Sequence, residues 1–395
     1  MERKPRRVAI MLDLQWPFKR HAAIFAGIQQ YAKTRNWDTI IDEFAHDTLL
    51  NRRRTAHRYD GILARANHPL ATQSNRLGIP VVNVWQSSPA RHLVPGVFPD
   101  STAAGHLFAE HLLSRGFRSF ATLTARKNID HDLEVRELNR LVRNSGFTCA
   151  SEKITQHPWQ DLAHWRETER HIEQWLDSWK LPIGVYIGGE AEGRMVVQAC
   201  HRRGWRVPAD VAIIAGKNEE SLCEYPRPSL TSLEIGYDRI GFEAARILDQ
   251  MMDGLAPPAE PIRLQPQGLV VRESTDFFAV DNKVVAKALA FISANCHRPI
   301  GPNEVAASIS VETRTLQNYF RKVLDRPIAT EIRRVRIERA KRELAQSRRS
   351  LSEIAHDVGF GDMQRLYEVF RRELGVTPGE YRRQRQLDSQ VDKTL

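Results

Sequence analysis

The chain has only four cysteines, Cys149, Cys200, Cys223 and Cys296, and no two of them form a CxxC pair. Scattered thiols without zinc or redox spacing read as reduced, structural residues. Long apolar runs are equally scarce, and nothing approaches the roughly 18 consecutive apolar residues that cross a bilayer. The basic start, Met1 to Arg7, leads into Val8 to Leu12, but Asp13 ends that run too soon for a signal-peptide core, so a cytoplasmic protein is expected. There is no HExxH pair, no GxxxxGK[ST] phosphate loop and no GxSxG elbow. These gaps weigh against an enzyme and imply no cofactor and no metal, although a scattered active site would leave no such trace.

With 395 residues, 42% of them apolar, the chain can bury two or three cores. Its net charge of +10 is unevenly placed: Asp281 to Arg385 holds 21 Lys and Arg against 13 Asp and Glu, +8 of the total. Basicity concentrated in one segment points to a polyanion, and nucleic acid is the obvious one.

From Val8 to about Thr275 short apolar runs alternate with amphipathic stretches. Strands are expected at 8–12, 61–64, 80–84, 119–123, 184–187 and 211–214, with 270–271 closing the series. Helices are expected at 22–34, 102–114, 133–144 and 194–203. That alternation reads as βαβ units and parallel sheets covered on both faces. The Pro-rich stretch 252–266 precedes the end of the pattern, and everything after residue 282 reads as helix. The expected organisation is an α/β domain over 1–275, a linker at 276–282, an all-α domain over 283–385 and a tail at 386–395.

The basic segment repeats itself. Glu304-Val305-Ala306-Ala307-Ser308-Ile309, Leu316 and Tyr319-Phe320-Arg321-Lys322-Val323-Leu324 correspond to Glu353-Ile354-Ala355-His356-Asp357-Val358, Leu366 and Val369-Phe370-Arg371-Arg372-Glu373-Leu374. The first halves are 49 residues apart and the second halves 50, so the second copy has one extra residue in its turn. Each copy reads as helix, tight turn, helix, closed by apolar contacts at helical spacing. Ser310 is expected to cap the second helix of the first copy. Gly359 supplies the second turn, Phe360 fills it and Asp362 caps the helix that follows. Arg314, Thr315, Gln317 and Asn318, with Arg321, face outward in one copy; Met363, Gln364, Tyr367 and Glu368, with Arg371, do so in the other. Arg suits guanine, Asn and Gln suit adenine, and Glu accepts from cytosine in the major groove. A long helix from Ile328 to Ser347 would set two such readers about one duplex turn, roughly 34 Å, apart. Arg382, in a final proline-started helix, is expected at phosphate. The competing reading is a plain helical bundle with a solvated basic face.

Residues 283 to 385 resemble the DNA-binding domain of AraC-type regulators. The resemblance rests on Leu351, Ile354, Ala355, Gly359-Phe360, Phe370-Arg371, Gly375, Pro378 and Tyr381-Arg382; it departs at Asp325, where the family often has Gly. The first 275 residues resemble the sugar-sensing domain of LacI-type repressors and periplasmic sugar-binding proteins. Here the matching stretches are Asp100 to Gly105, Gly204 to Val211, and Pro228 to Leu233 followed by Ile240-Gly241 and Ala244-Ala245. Together these resemblances imply double-stranded DNA and a xylose-like sugar or sugar derivative as partners, homodimerisation, contact with RNA polymerase, no membrane association and an activating role. They nominate Trp16, Phe18, Lys19, Arg20, Arg136, Glu190 and Lys217 for the sugar. The family usually has an acid at Lys217 and Asp at Glu190. Since lysine only donates hydrogen bonds, a sugar acid, a sugar phosphate or a lost response stands beside a neutral pentose. Two further readings are an α/β enzyme tethered to DNA by its tail and a transport-type binding protein.

Overall fold

The computed structural model describes residues 4–16, 18–50, 59–155, 161–280, 282–346 and 349–383. The expected tail at 386–395, Asp281 of the linker, Ser347 and the last two residues of the expected DNA-binding domain lie outside them. The chain divides into two units, each assembled from separate segments.

In the first unit (1–104, 126–134 and 235–266), β1 (Arg7–Met11), β2 (Asp38–Ile41), β3 (Gly61–Ala64) and β4 (Val81–Asn83) form a parallel sheet in the order β2-β1-β3-β4. Ala9 lies opposite both Ile40 and Ile62, and Leu63 opposite Val82. β3 and β4 are buried throughout and β1 from Val8 onward, as their continuous apolar sequence requires. The Lys19–Arg35 and Tyr237–Met252 helices pack against each other through two glycines. A Cβ on Gly27 would come within 1.8 Å of the Asp238 carbonyl oxygen, and one on Gly241 within 1.9 Å of that of Ile24. Bare backbone is therefore what lets the helices meet so closely. Nearby, buried Asp249 accepts from Arg6 at 2.7 Å and Tyr31 at 2.9 Å and pairs with Arg35. β5 (Val97–Pro99) runs parallel to a later strand, Ile262–Leu264, numbered β11 below.

The second unit (105–125, 135–234 and 267–395) has its own parallel sheet. β6 (Ser119–Ala125), β7 (Cys149–Ile154), β8 (Ile183–Ile187) and β9 (Val211–Ala215) run in the order β7-β6-β8-β9. β8 and β9 are fully buried and the edge strand β7 is largely not. β10 (Ser232–Glu234) pairs antiparallel with β12 (Gly268–Val270), chain order being kept by β11 (Ile262–Leu264). Beyond Thr275 the described residues hold helices only. These are Lys283–Asn295, two pairs (Pro302–Ser308 with Thr313–Leu324, and Leu351–Asp357 with Met363–Leu374), the connecting Ile328–Gln346 helix and a final helical stretch over 378–383.

Candidate DNA-reading helices and effector residues

The two helix pairs obey the repeat to the residue. Their first helices, Pro302–Ser308 and Leu351–Asp357, are offset by 49; their second helices, Thr313–Leu324 and Met363–Leu374, by 50. Glu304 reaches back to the Gly301 amide at 2.9 Å, and its counterpart Glu353 to the Ser350 amide at 2.8 Å, satisfying otherwise orphaned donors at each start. Leu316 and Phe320 in one second helix and Leu366, Val369 and Phe370 in the other face inward.

The turns correct one expectation. Ser310 does not cap the following helix; that helix starts at Thr313 after Glu312, which makes no side-chain cap. Ser310 instead adopts the left-handed conformation at φ 55°, at the repeat position where Gly359 has φ 90°. The same left-handed position thus holds a glycine in one copy and a strained serine in the other. Asp362 does cap, accepting from the Arg365 amide at 2.8 Å, and Phe360 is buried. Asp325 is left-handed at φ 53°, as its counterpart Gly375 is at 73°.

Opposite the apolar faces, Arg314, Asn318 and Arg321 are exposed, and Thr315 and Gln317 are half-buried beside them. On the second helix Met363, Gln364, Tyr367, Glu368 and Arg371 are all exposed, with the Gln364 amide donating to Glu368 at 3.2 Å. Arg382 is the residue expected at phosphate. It is half-buried, donates to the Arg349 carbonyl at 2.6 Å, and has a buried Nε without an acceptor among the described residues.

The sugar-directed residues divide between the units. In the first, Trp16 packs at 5.8 Å from both Phe18 and His21, and Arg20 lies over the Tyr237 ring at 5.1 Å. Tyr237, Asp130 and Glu134 act on the Arg20 charge and raise its pKa. Asp130 also accepts from Ser101 at 2.9 Å. Lys19 is half-buried on the same helix. In the second unit Glu190, 8% exposed, accepts the Lys217 and Glu219 amides at 2.7 and 2.9 Å and so moulds the loop after β9. Gly216, at φ 69°, leaves room for that carboxylate. Lys217 donates to the Tyr186 hydroxyl at 3.3 Å over the stacked Phe108 and Tyr186 rings. Arg136 is exposed.

Residues 6–151 match the family model for periplasmic binding proteins and the sugar-binding domain of the LacI family, residues 109–275 that for a periplasmic binding protein-like domain, and residues 305–384 that for a helix-turn-helix domain. The chain is 26% identical over 389 residues to the Xylose operon regulatory protein of Haemophilus influenzae, covering 95% of this chain and 98% of the relative. It is 23% identical over 394 residues to the Escherichia coli K12 protein of the same name, covering 96% and 97%. The solved structure of xylose-binding transcription activator xylR superposes with a TM-score of 0.59 at 21% identity, covering 97% of this chain and 99% of that one. The chain is similar over nearly its whole length to the xylose operon regulatory proteins. A periplasmic-binding-like region is followed by a helix-turn-helix domain.

Several residues central to the architecture carry no local sequence signal. Asn83 is fully buried at the end of β4; its side-chain oxygen accepts the Ala66 and Trp85 amides at 3.2 and 3.0 Å, and its amide donates to the Trp85 carbonyl at 3.0 Å. Arg65, held by these loops, lies over the Trp85 ring at 4.4 Å and the Trp16 ring at 5.9 Å. In the connecting helix Glu331, fully buried, pairs with Arg326 and Arg334 at 2.7 Å each. Arg336 turns inward to the carbonyls of Cys296 and Arg298. Only the polar asparagine inside an apolar strand could have drawn notice, since a buried amide demands partners.

Proposed function

We propose that this protein is a sequence-specific, DNA-binding transcription regulator of a sugar-utilisation operon, controlled by a sugar or sugar derivative and acting as an activator. The observation that carries the reading is the repeated helix pair, with each second helix burying one face and leaving Arg314, Asn318 and Arg321, or Gln364, Tyr367, Glu368 and Arg371, in solvent. Those residue types donate to and accept from base edges, and the basic charge around them suits phosphate. We assign Gln317, Thr315 and Met363 to the same reading surfaces and 283–385 to the DNA-binding domain, joined through 276–282 to the sensor at 1–275. Trp16, Phe18, Arg20, Arg136, Glu190 and Lys217 are assigned to the sensor, Glu190 acting through the loop it shapes. Arg382 we assign to holding the final helix in place. Homodimerisation, contact with RNA polymerase, action in the cytoplasm and the absence of catalysis complete the reading; among the described residues no helix is long and apolar enough to cross a membrane. A tethered enzyme is disfavoured because the full-length relatives are regulators.

The test is duplex binding by the full chain as a function of salt. Affinity for promoter DNA should fall with a log–log slope of about −0.9 for each phosphate neutralised. Replacing Gln317 or Gln364 with Ala should relax preference at one base pair by about 1 to 3 kcal/mol. No binding at low salt would remove the proposal.

A further inference from the structure

We infer that the effector is an anionic sugar, bearing a carboxylate or a phosphate, and that its anionic group seats on the Arg65 guanidinium. The inference rests on the sugar-sensing reading above and narrows its ligand class.

Arg65 directly follows β3, at the carboxyl end of a parallel sheet, where open α/β folds present their ligands. Its backbone amide is fixed to the Met11 carbonyl at 3.1 Å, and Asn83 ties both the Arg65–Ala66 turn and the Trp85 turn to one buried amide. The guanidinium rests over the Trp85 and Trp16 rings. Stacking of that kind uses the faces of the guanidinium and leaves the five N–H donors at its rim. Among the described residues no acceptor or carboxylate lies within bonding range of that rim.

The contrast with Arg20 is chemical. Arg20 has Asp130 and Glu134 acting on its charge together with the Tyr237 hydroxyl. Arg65 is half-buried, and burial together with the like charge of Arg20 presses its pKa down, with Asp13 the opposing group, beyond ion-pair distance. A partly desolvated guanidinium without a counter-ion, pinned in orientation by two indoles, is built for a planar or tetrahedral oxyanion that takes two of its donors at once. Neutral hydroxyls would leave its charge uncompensated. Indole surface beside it suits the apolar face of a sugar ring, and Asp130 and Glu134 can accept hydrogen bonds from its hydroxyls. In the second unit, taken by itself, the carboxyl end of β9 also carries a cation, Lys217, rather than an acid.

The experiment is calorimetric titration of the full-length protein with three probes sharing one carbon skeleton: D-xylose, D-xylonate and D-xylose 5-phosphate. The expected result is at least about ten-fold tighter binding of one of the two anions than of xylose. Whichever anion binds more tightly identifies the source of the charge. Arg65→Gln should bring that anion to within about three-fold of xylose measured on the same variant, and Arg65→Lys should keep part of the preference because it keeps the charge but not the two-pronged geometry. Should Arg65→Gln lower the melting temperature of the unliganded protein, the comparison is read from Arg65→Lys. Equal or tighter binding of xylose overturns the inference and leaves the sugar-sensing reading standing, as does an anion preference that survives Arg65→Gln. Failure of all three probes to bind overturns both.

Discussion

Truncating Arg336 should loosen the second helix pair from the first without touching either reading face. Its side chain is 9% exposed. Nε donates to the Cys296 carbonyl at 2.8 Å and Nη2 to that of Arg298 at 2.7 Å; a third contact, to Ile300 at 3.4 Å, is too long to contribute much. Directly beneath lies the second turn: a Cβ on Gly359 would come within 2.8 Å of Arg336 Nε and 2.1 Å of the Cys296 carbonyl oxygen. One guanidinium thereby fastens the segment entering the first pair, the connecting helix and the turn of the second pair. Two hydrogen bonds from a charged donor are worth about 1.5 to 3 kcal/mol each. Against that stands the recovered cost of desolvating the guanidinium, which burial signals by lowering its pKa. Arg336→Met, which keeps the aliphatic stem, should therefore destabilise the helical domain by about 2 to 4 kcal/mol, and Arg336→Lys by about half of that. Hydrogen exchange of the full chain, followed at amides 351–374, measures this directly. Affinity for a promoter carrying both half-sites should fall with it, while preference at individual bases is retained. If amides 351–374 in Arg336→Met exchange as in the parent, the linchpin role is wrong.

Gly241→Ala should cost more than about 3 kcal/mol, because the new methyl would overlap the Ile24 backbone rather than a movable side chain, and Gly27→Ala should do the same against Asp238; thermal unfolding gives the answer, and a parent-like melting temperature would show that the helices can part freely. Glu273 is held down to about 2 by Arg227, with help from Ser229. Its folded value lies below the unfolded one, so the stability it contributes is complete above about pH 4.5 and is lost as pH falls toward 2. An NMR titration of its carboxyl signal reads the shift, and a midpoint near 4.5 would dismiss the Arg227 and Ser229 contacts. Arg382→Ala should speed exchange around Arg349 and the final helix, since it removes the bond to the Arg349 carbonyl; weaker binding to all duplexes with unchanged exchange would return this residue to the phosphate role.

Spacing alone was enough for the parts of this protein held together by nearby residues. Helix pairs 49 and 50 residues apart, the turns at Gly359 and Gly375 and the buried strands β1, β3, β8 and β9 all follow from periodicity and local turn chemistry. Two of the terminal strands did not declare themselves: β2 and β7 have exposed, polar positions, and only a neighbouring strand makes them strands. Nor could pattern decide what individual polar groups do, because their partners stand far off in sequence. Arg336 finds its carbonyl 40 residues away and Arg382 33, partners that no local spacing names. Asn83 orients Arg65 and Trp85 only because three parallel strands end side by side. Periodicity tells which face of a segment meets water; which donor meets which acceptor is fixed when the chain closes on itself, since a buried polar group is tolerated only where folding brings it a partner.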